Sequence, residues 1–194
     1  MSPARKRAVV FISGGGSNMV ALARAAQTPG YPVEIVGVIA DKADAGGLEK
    51  AASMGIPTFA FQRGDFDSKA AHERAILTCL EGLTPDLLCL AGYMRLLSAD
   101  FIRHYEGRIL NIHPSLLPLF PGLHTHQRAI DAGMTEAGCT VHVVTEGMDE
   151  GPVLAQARVP VLPGDTAETL AARVLVEEHK LYPATLRAFA EDLV

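Results

Sequence analysis

The apolar positions of this chain follow two alternating patterns. Short, mainly apolar runs occupy Val9 to Ser13, Val33 to Ala40 and Leu87 to Ala91, each closed by a glycine or an acid, and predict strands. Leu87 to Ala91 is apolar throughout, which predicts burial on both faces. Pro57 to Phe61 reads as a shorter strand, and Arg108 to Asn111 as another. Between these runs the apolar residues recur at helical spacing. An Ala-rich helix is predicted over Met19 to Ala26, ending before Pro29-Gly30, and a short one follows Gly46-Gly47 and runs through Met54. Asp67 to Leu83 places Ile76, Leu80 and Leu83 on one face of a further helix, and Ala99 to His104 and Gln127 to Ala132 complete this set.

The alternation then stops. Thr140 to Thr145 and Val153 to Val161 read as two strands joined by Glu146-Gly147-Met148-Asp149-Glu150-Gly151-Pro152, with no helix between them. A hairpin-like addition with a long acidic loop is expected there. Asp165-x-x-Glu168 predicts a capping box for the last helix, which Pro183 is expected to kink or interrupt. No linker, repeat or low-complexity segment divides the sequence. The pattern therefore predicts one domain over residues 1–194, of the α/β class: a Rossmann-like, doubly wound, mostly parallel sheet with an antiparallel addition near the C-terminus.

Composition narrows the function. With 48% hydrophobic and 20% charged residues the chain can bury a sizeable core. A formal net charge of −5 leaves no basic stripe for nucleic acid, and Arg5-Lys6-Arg7 alone reads as a solvated chain start. No run approaches the roughly 20 apolar residues of a membrane span, and Ala8 to Ile12 is too short for a signal-peptide core. Cys79, Cys89 and Cys139 are odd in number, far apart and set in apolar runs. Reduced thiols and a cytoplasmic location are expected.

The chemistry centres on Asn111-Ile-His-Pro-Ser-Leu-Leu-Pro-Leu-Phe-Pro-Gly122. Pro114, Pro118 and Pro121 forbid a helix and remove three backbone donors. Asn111 and His113 leave one strand two residues apart, so alternation puts them on one face. An amide N–H and a protonated imidazole suit a developing oxyanion on an acyl carbon, and the imidazole can return a proton near neutral pH. His124-x-His126, with His113 and His142, is the metal alternative. It is the weaker one, because no carboxylate lies between residues 109 and 130. Gly14-Gly15-Gly16-Ser17-Asn18 sits at a strand-to-helix turn whose backbone N–H groups can cradle a phosphate. Gly14 and Gly16 match the first two glycines of a dinucleotide fingerprint, and Asp41 sits roughly where its ribose-binding acid would. Met19 takes the place of the third glycine, so a monophosphate fits better than a dinucleotide. A nicotinamide oxidoreductase and a non-catalytic nucleotide-binding module stay open at this point. Asp149 lies in a loop placed to fold over the strand ends, where a carboxylate favours the charged form of an imidazole beside it. Glu178 shares a helix face with Leu170, Val174 and Leu181, an acid on an apolar side.

With these residues assembled, nearly the whole chain resembles the phosphoribosylglycinamide formyltransferase family of purine synthesis. The similarity is carried by Ser13-Gly14-Gly15-Gly16-Ser17-Asn18, by Ala91-Gly92-Tyr93-Met94-Arg95-Leu96-Leu97, by the proline-rich motif through His124-Thr125-His126, and by Asp149-x-Gly151-Pro152-Val153. Methionyl-tRNA formyltransferases differ after the motif and carry a further C-terminal domain, and formyltetrahydrofolate deformylases an N-terminal one. Neither is expected here. The resemblance implies the formyltransferase fold and transfer of a formyl group from 10-formyltetrahydrofolate, as co-substrate, to the amine of glycinamide ribonucleotide, with no metal. It implies Asn111, His113 and Asp149 as the catalytic trio. The ribonucleotide is expected on Gly14, Gly15, Gly16, Ser17 and Asn18, with Glu178 at the ribose and Met94 and Pro114 at the junction. The folate is expected near Arg95, Leu96, Leu97, Asn111, Val144, Thr145 and Asp149. A cis Leu117–Pro118 bond is also implied. Leu175 departs from the pattern, standing where relatives often have a polar residue that helps bind the ribonucleotide. Small molecules are the expected partners, not nucleic acid or membrane, with monomer and homodimer both open.

Overall fold

A computed structural model describes residues 4–193. Seven strands form one sheet in the order β3-β2-β1-β4-β5-β6-β7. In chain order these are β1 (Lys6–Ile12), β2 (Val33–Ala40), β3 (Thr58–Ala60), β4 (Leu87–Leu90), β5 (Ile109–His113), β6 (Glu136–Val143) and β7 (Val153–Pro160). The first five pair in parallel, whereas β6 runs antiparallel to β5 and β7 antiparallel to β6. The antiparallel addition is thus a hairpin whose loop carries Asp149. The helices are α1 (Ser17–Ala26), α2 (Gly46–Ser53), α3 (Lys69–Leu83), α4 (Ala99–His104), α5 (Thr125–Asp131) and α6 (Ala167–Asp192).

Alternation along β1 divides the core. Ala8, Val10 and Ile12 join a layer with Leu22 of α1 and Leu170, Val174, Tyr182 and Leu186 of α6. Val9 and Phe11 join the opposite layer with Ile76 and Leu80 of α3 and Phe101 and Ile102 of α4. Because both faces are covered, β4 is apolar throughout and β1 is apolar from Ala8 to Ile12.

Four sequence expectations need correction. The strand predicted to stop at Asn111 continues through His113, because β6 supplies hydrogen-bonded partners as far as His113 opposite Thr140. Gly46-Gly47 lies inside α2 and does not precede it. A Cβ on Gly47 would come 2.5 Å from Ile12 and about 3.1 Å from Gly14 O and Gly16 Cα, so glycine permits α2 to pack on the neighbouring turn. The last helix is capped by Thr166 with Thr169, not by Asp165 with Glu168; Asp165 instead pairs with Arg173 at 2.8 Å. Finally, α6 runs 26 residues through Pro183 without interruption. Part of its anchorage there is the Tyr31 hydroxyl, which donates to Pro183 O at 2.7 Å.

Tyr182 ties α6 to the middle of the sheet. Its hydroxyl is fully buried and donates toward Leu90 O at 2.9 Å and Leu110 O at 3.2 Å, spanning β4 and β5. Burial pushes its phenol well above the ordinary tyrosine range, so it stays a donor. Tyr182→Phe should keep the packing and lower stability by about 1 kcal/mol, the net worth of one buried hydrogen bond. Urea unfolding should show a lower midpoint with an unchanged m-value.

Candidate active site

The sheet gathers the chemistry at one edge. Parallel strands β1, β2, β4 and β5 all end on the same side, and the strand order reverses between β1 and β4. After β1 the chain passes into α1 on one face, and after β4 into α4 on the other. Such a switch point is where open α/β sheets bind ligands. Here the Met94 N–H, just past β4, donates to Ser13 Oγ, just past β1, at 2.8 Å.

On β5, Asn111 and His113 share a face, as alternation requires, and their cross-strand partners on β6 are His142 and Thr140. His113 is 6% exposed. Its Nε2–H donates to Phe120 O at 2.9 Å, and its Nδ1 lies 3.4 Å from Asp149 Oδ2. Both ring nitrogens face acceptors, an arrangement suited to the imidazolium, in which both carry hydrogen. The other Asp149 oxygen lies 3.7 Å from His142 Nε2. Gly122 N–H donates to Asp149 Oδ2 at 2.9 Å, so the carboxylate also fastens the end of the proline-rich turn. Asp149 holds this position with φ 54, in the left-handed region that costs a non-glycine residue on the order of 1 kcal/mol.

His142 was visible in the sequence only as a possible metal ligand. The structure gives it another place. Its ring is 2% exposed, Nδ1–H faces Val143 O at 3.2 Å, and Nε2 accepts from Asn111 Nδ2 at 3.2 Å. Burial holds the His142 ring below the ordinary imidazole pKa despite the Val143 carbonyl and Asp149. A neutral His142 thereby orients the Asn111 amide and leaves its second N–H uncommitted. The signal that pointed this way was the register of one polar strand position against Asn111, which only the pairing reveals.

The turn carrying Pro114 to Pro121 is held from β6 and β7. Thr140 Oγ1 donates to Ser115 O at 2.7 Å and accepts from Leu117 N at 3.1 Å. Gln156 Nε2 donates to Leu117 O at 2.8 Å. The Leu117–Pro118 bond is cis, as the resemblance implied. Thr125 Oγ1 donates to Pro114 O at 2.7 Å, which fixes the start of α5. His124 and His126 belong to that helix start and not to a metal cluster. Among the described residues, no group of three or more His, Cys, Asp and Glu is placed to hold a metal ion.

The glycine turn opens α1. Gly16 caps that helix with φ 68 and no side-chain cap, so the first backbone N–H groups of α1 have no helical carbonyl. Lys50 of α2 donates to Gly15 O at 2.8 Å, and Gly47 N–H to Gly14 O at 3.0 Å. Gly14, Gly15 and Ser17 are exposed. The Asn18 side chain turns away from the glycine turn. Its Nδ2 donates to Glu178 Oε2 at 2.7 Å in the interior, leaving its backbone N–H at the turn. Burial pushes the Glu178 carboxyl up, against the pull of Asn18 and of His113. The buried stripe of α6 runs Leu170, Val174, Glu178, Tyr182, while Leu181 is half-buried beside it. Leu175 is also half-buried.

After β4, Met94, Arg95 and Leu96 are exposed and Leu97 is half-buried. Asp41 is not an open ribose-binding acid. Its side chain is 2% exposed, and Oδ2 accepts from Arg95 Nε at 3.0 Å. Val144 and Thr145 follow β6 toward the Asp149 loop, Val144 half-buried and Thr145 exposed. Val144 N–H donates to Ile109 O at the start of β5, and from there the loop brings Asp149 back to His113.

Comparison with known proteins gives the family and the fold. The sequence profile of the formyl transferase family, described as "Formyl transferase", matches residues 6–186. A Brucella melitensis structure of phosphoribosylglycinamide formyltransferase superposes with a TM-score of 0.94 at 72% identity, covering 98% of each chain. The fold is therefore the formyltransferase fold. The Escherichia coli phosphoribosylglycinamide formyltransferase is 46% identical over 183 residues, 94% of this chain and 86% of that protein. The trifunctional purine biosynthetic protein adenosine-3 of Drosophila pseudoobscura pseudoobscura is 47% identical over 192 residues, but this chain spans 14% of its length.

The buried His142 gives a pH test. Its folded pKa lies below the ordinary 6.5, so as pH falls below about 6.5 the unfolded chain takes up a proton that the native state refuses. Stability should therefore be full above that pH and decline through the window below it. His126 and His179, also lowered by burial, add to the same slope. His142→Gln should remove up to one proton from the slope, about 1.4 kcal/mol per pH unit at most. Urea midpoints at pH 7.5 and 5.5 should diverge less in the variant than in the wild type.

Proposed function

We infer the reaction from one premise: this chain belongs to the formyl transferase family. The reaction is transfer of the formyl group of 10-formyltetrahydrofolate to the amine of glycinamide ribonucleotide, giving formylglycinamide ribonucleotide and tetrahydrofolate. One observation carries this reading: Asn111, His113 and Asp149 meet at the switch edge, beside a helix N-terminus with open N–H groups.

In the proposed mechanism the neutral glycinamide amine attacks the formyl carbon and forms the new C–N bond. The free N–H of Asn111 and the His113 imidazolium stabilise the oxyanion of the tetrahedral intermediate. Phe120 O holds the Nε2–H of His113, and Nδ1 is the ring nitrogen beside Asp149. Asp149, 3.4 Å from His113 Nδ1, assists through water the proton that passes from the attacking nitrogen to the departing folate nitrogen. Collapse of the intermediate breaks the bond between formyl carbon and folate nitrogen. The phosphate takes the glycine turn through the backbone N–H groups at Gly15, Gly16, Ser17 and Asn18, and the ribose hydroxyls meet Glu178. Met94 and Pro114 flank the junction where the two substrates meet. The pterin lies against Arg95, Leu96 and Leu97 on one side and Val144, Thr145 and Asp149 on the other.

One domain carries the whole reaction in this reading, as a monomer or a homodimer with small-molecule substrates. A cytoplasmic setting suits Cys79, Cys89 and Cys139, all of which are free thiols. The buried, ion-paired Asp41 speaks against the nicotinamide reading, because no open acid remains there for a ribose.

The test supplies both substrates to purified protein and follows release of tetrahydrofolate. Turnover should require the ribonucleotide; release without it would identify a deformylase and overturn the reading. Asn111→Ala should lower kcat by about 10²–10³, the cost of one oxyanion donor. Near-normal turnover in that variant would remove Asn111 from the mechanism.

A further inference from the structure

The segment that leaves β4 is gripped by three side chains from three separate elements. Ser13 Oγ accepts from Met94 N–H at 2.8 Å, and Asp41 Oδ2 accepts from Arg95 Nε–H at 3.0 Å. Glu73 of α3, itself buried, accepts from the Ser98 N–H at 2.9 Å and from the Ser98 hydroxyl, which in turn caps α4. Ser13 and Glu73 hold backbone at the two ends of the segment. Asp41 holds the long Arg95 side chain between them.

The Asp41–Arg95 pair is asymmetric. The Asp41 side chain is 2% exposed, whereas that of Arg95 is 44% exposed. Arg95 is held at its root through Nε, and among the described residues its two terminal nitrogens meet no protein acceptor. Asp41 Oδ1 is buried with no hydrogen-bond donor among the described residues. Burying a carboxylate with a single half-exposed partner is a poor way to stabilise a fold, since desolvation works against the pair. It is an effective way to fix one rotamer of a long, flexible side chain. The acid stands at the end of β2, beside the strand that feeds the glycine turn, so the sheet itself supplies the fixed point.

We propose that Asp41 is a positioning residue for the folate side of the site: it anchors Arg95 and, through it, the 95–97 backbone against which the pterin lies. The inference rests on the formyl-transfer reading above. Asp41 touches neither substrate. Its effect is exerted through Arg95 and therefore falls on folate affinity, leaving the chemical step and ribonucleotide binding unchanged.

A double-mutant cycle tests this, using Asp41→Ala, Arg95→Ala and the double variant, with Asp41→Asn as the conservative change. KM for 10-formyltetrahydrofolate should rise on the order of tenfold in Asp41→Ala, a coupling of ordinary size for residues in direct contact. Asp41→Asn, which keeps an acceptor oxygen, should rise less. The KM for glycinamide ribonucleotide and kcat should stay within about twofold in both, as expected when only uniform folate binding is lost. In the Arg95→Ala background, Asp41→Ala should have little further effect on the folate KM. An undiminished rise there, or equal rises for both substrates, would overturn the proposal. Thermal melting reads the pair without turnover. Arg95→Ala should lower Tm by leaving Asp41 buried and alone, and adding Asp41→Asn should restore it. Absence of formyl transfer in the wild type would defeat the functional reading, whereas failure of this thermal rescue with activity intact would defeat the Asp41 assignment alone.

Discussion

Parallel pairing of β1, β2, β4 and β5 forces four strands to end on one edge of the sheet, and most of the site is built from what leaves that edge. From this edge the glycine turn after β1, Asp41 after β2, the Met94–Leu97 segment after β4 and Asn111 with His113 on β5 all project. The reversal of strand order between β1 and β4 sends the two following segments to opposite faces of the sheet. What remains between them is a place that a ligand can occupy without displacing secondary structure. The single hydrogen bond from Met94 N–H to Ser13 Oγ joins the two sides there.

The antiparallel hairpin has a different role. A parallel crossover would have delivered another strand end to the same edge, whereas β6 and β7 deliver a loop, and with it Asp149. The carboxylate meets His113, His142 and the Gly122 N–H from one left-handed position. A Cβ on Gly151 would sit 1.6 Å from Val143 O, so the return of this loop to the sheet requires glycine. The same hairpin holds the proline-rich turn through Thr140 and Gln156. Asn111 and His113 of β5 thus find their supports on the adjoining β6, on β7 and in the loop between them. Preorganised donors of this kind need no rearrangement when charge develops.

The division of labour around the polar core also explains why two histidines beside one aspartate differ. His113 has an acceptor at each ring nitrogen. His142 faces a backbone carbonyl on one side and receives a hydrogen bond from Asn111 on the other, deep enough that burial favours the neutral ring. One ring is equipped to carry charge and the other to orient an amide.

Much of this was legible in the sequence. The runs Val33–Ala40 and Ala99–His104 match β2 and α4 residue for residue, because an apolar run closed by an acid and a segment capped by serine are local facts. Asn111, His113 and Asp149 were singled out by residue type and by the resemblance, which also implied the cis Leu117–Pro118 bond. The errors were tertiary in cause. His113 stays in a strand because β6 pairs with it; Gly46-Gly47 is helical because α2 packs on a glycine turn; Pro183 sits within a long helix that the sheet supports along its length. The partners of Asn18, Asp41 and Asn111 lie 160, 54 and 31 residues away, so no periodicity could name them. The sequence by itself determined which residue types exist and on which face of which element each would lie. Only the tertiary structure decided which polar groups neutralise one another and which stay open to substrate, because that depends on strand order and burial, and both are properties of the packed chain.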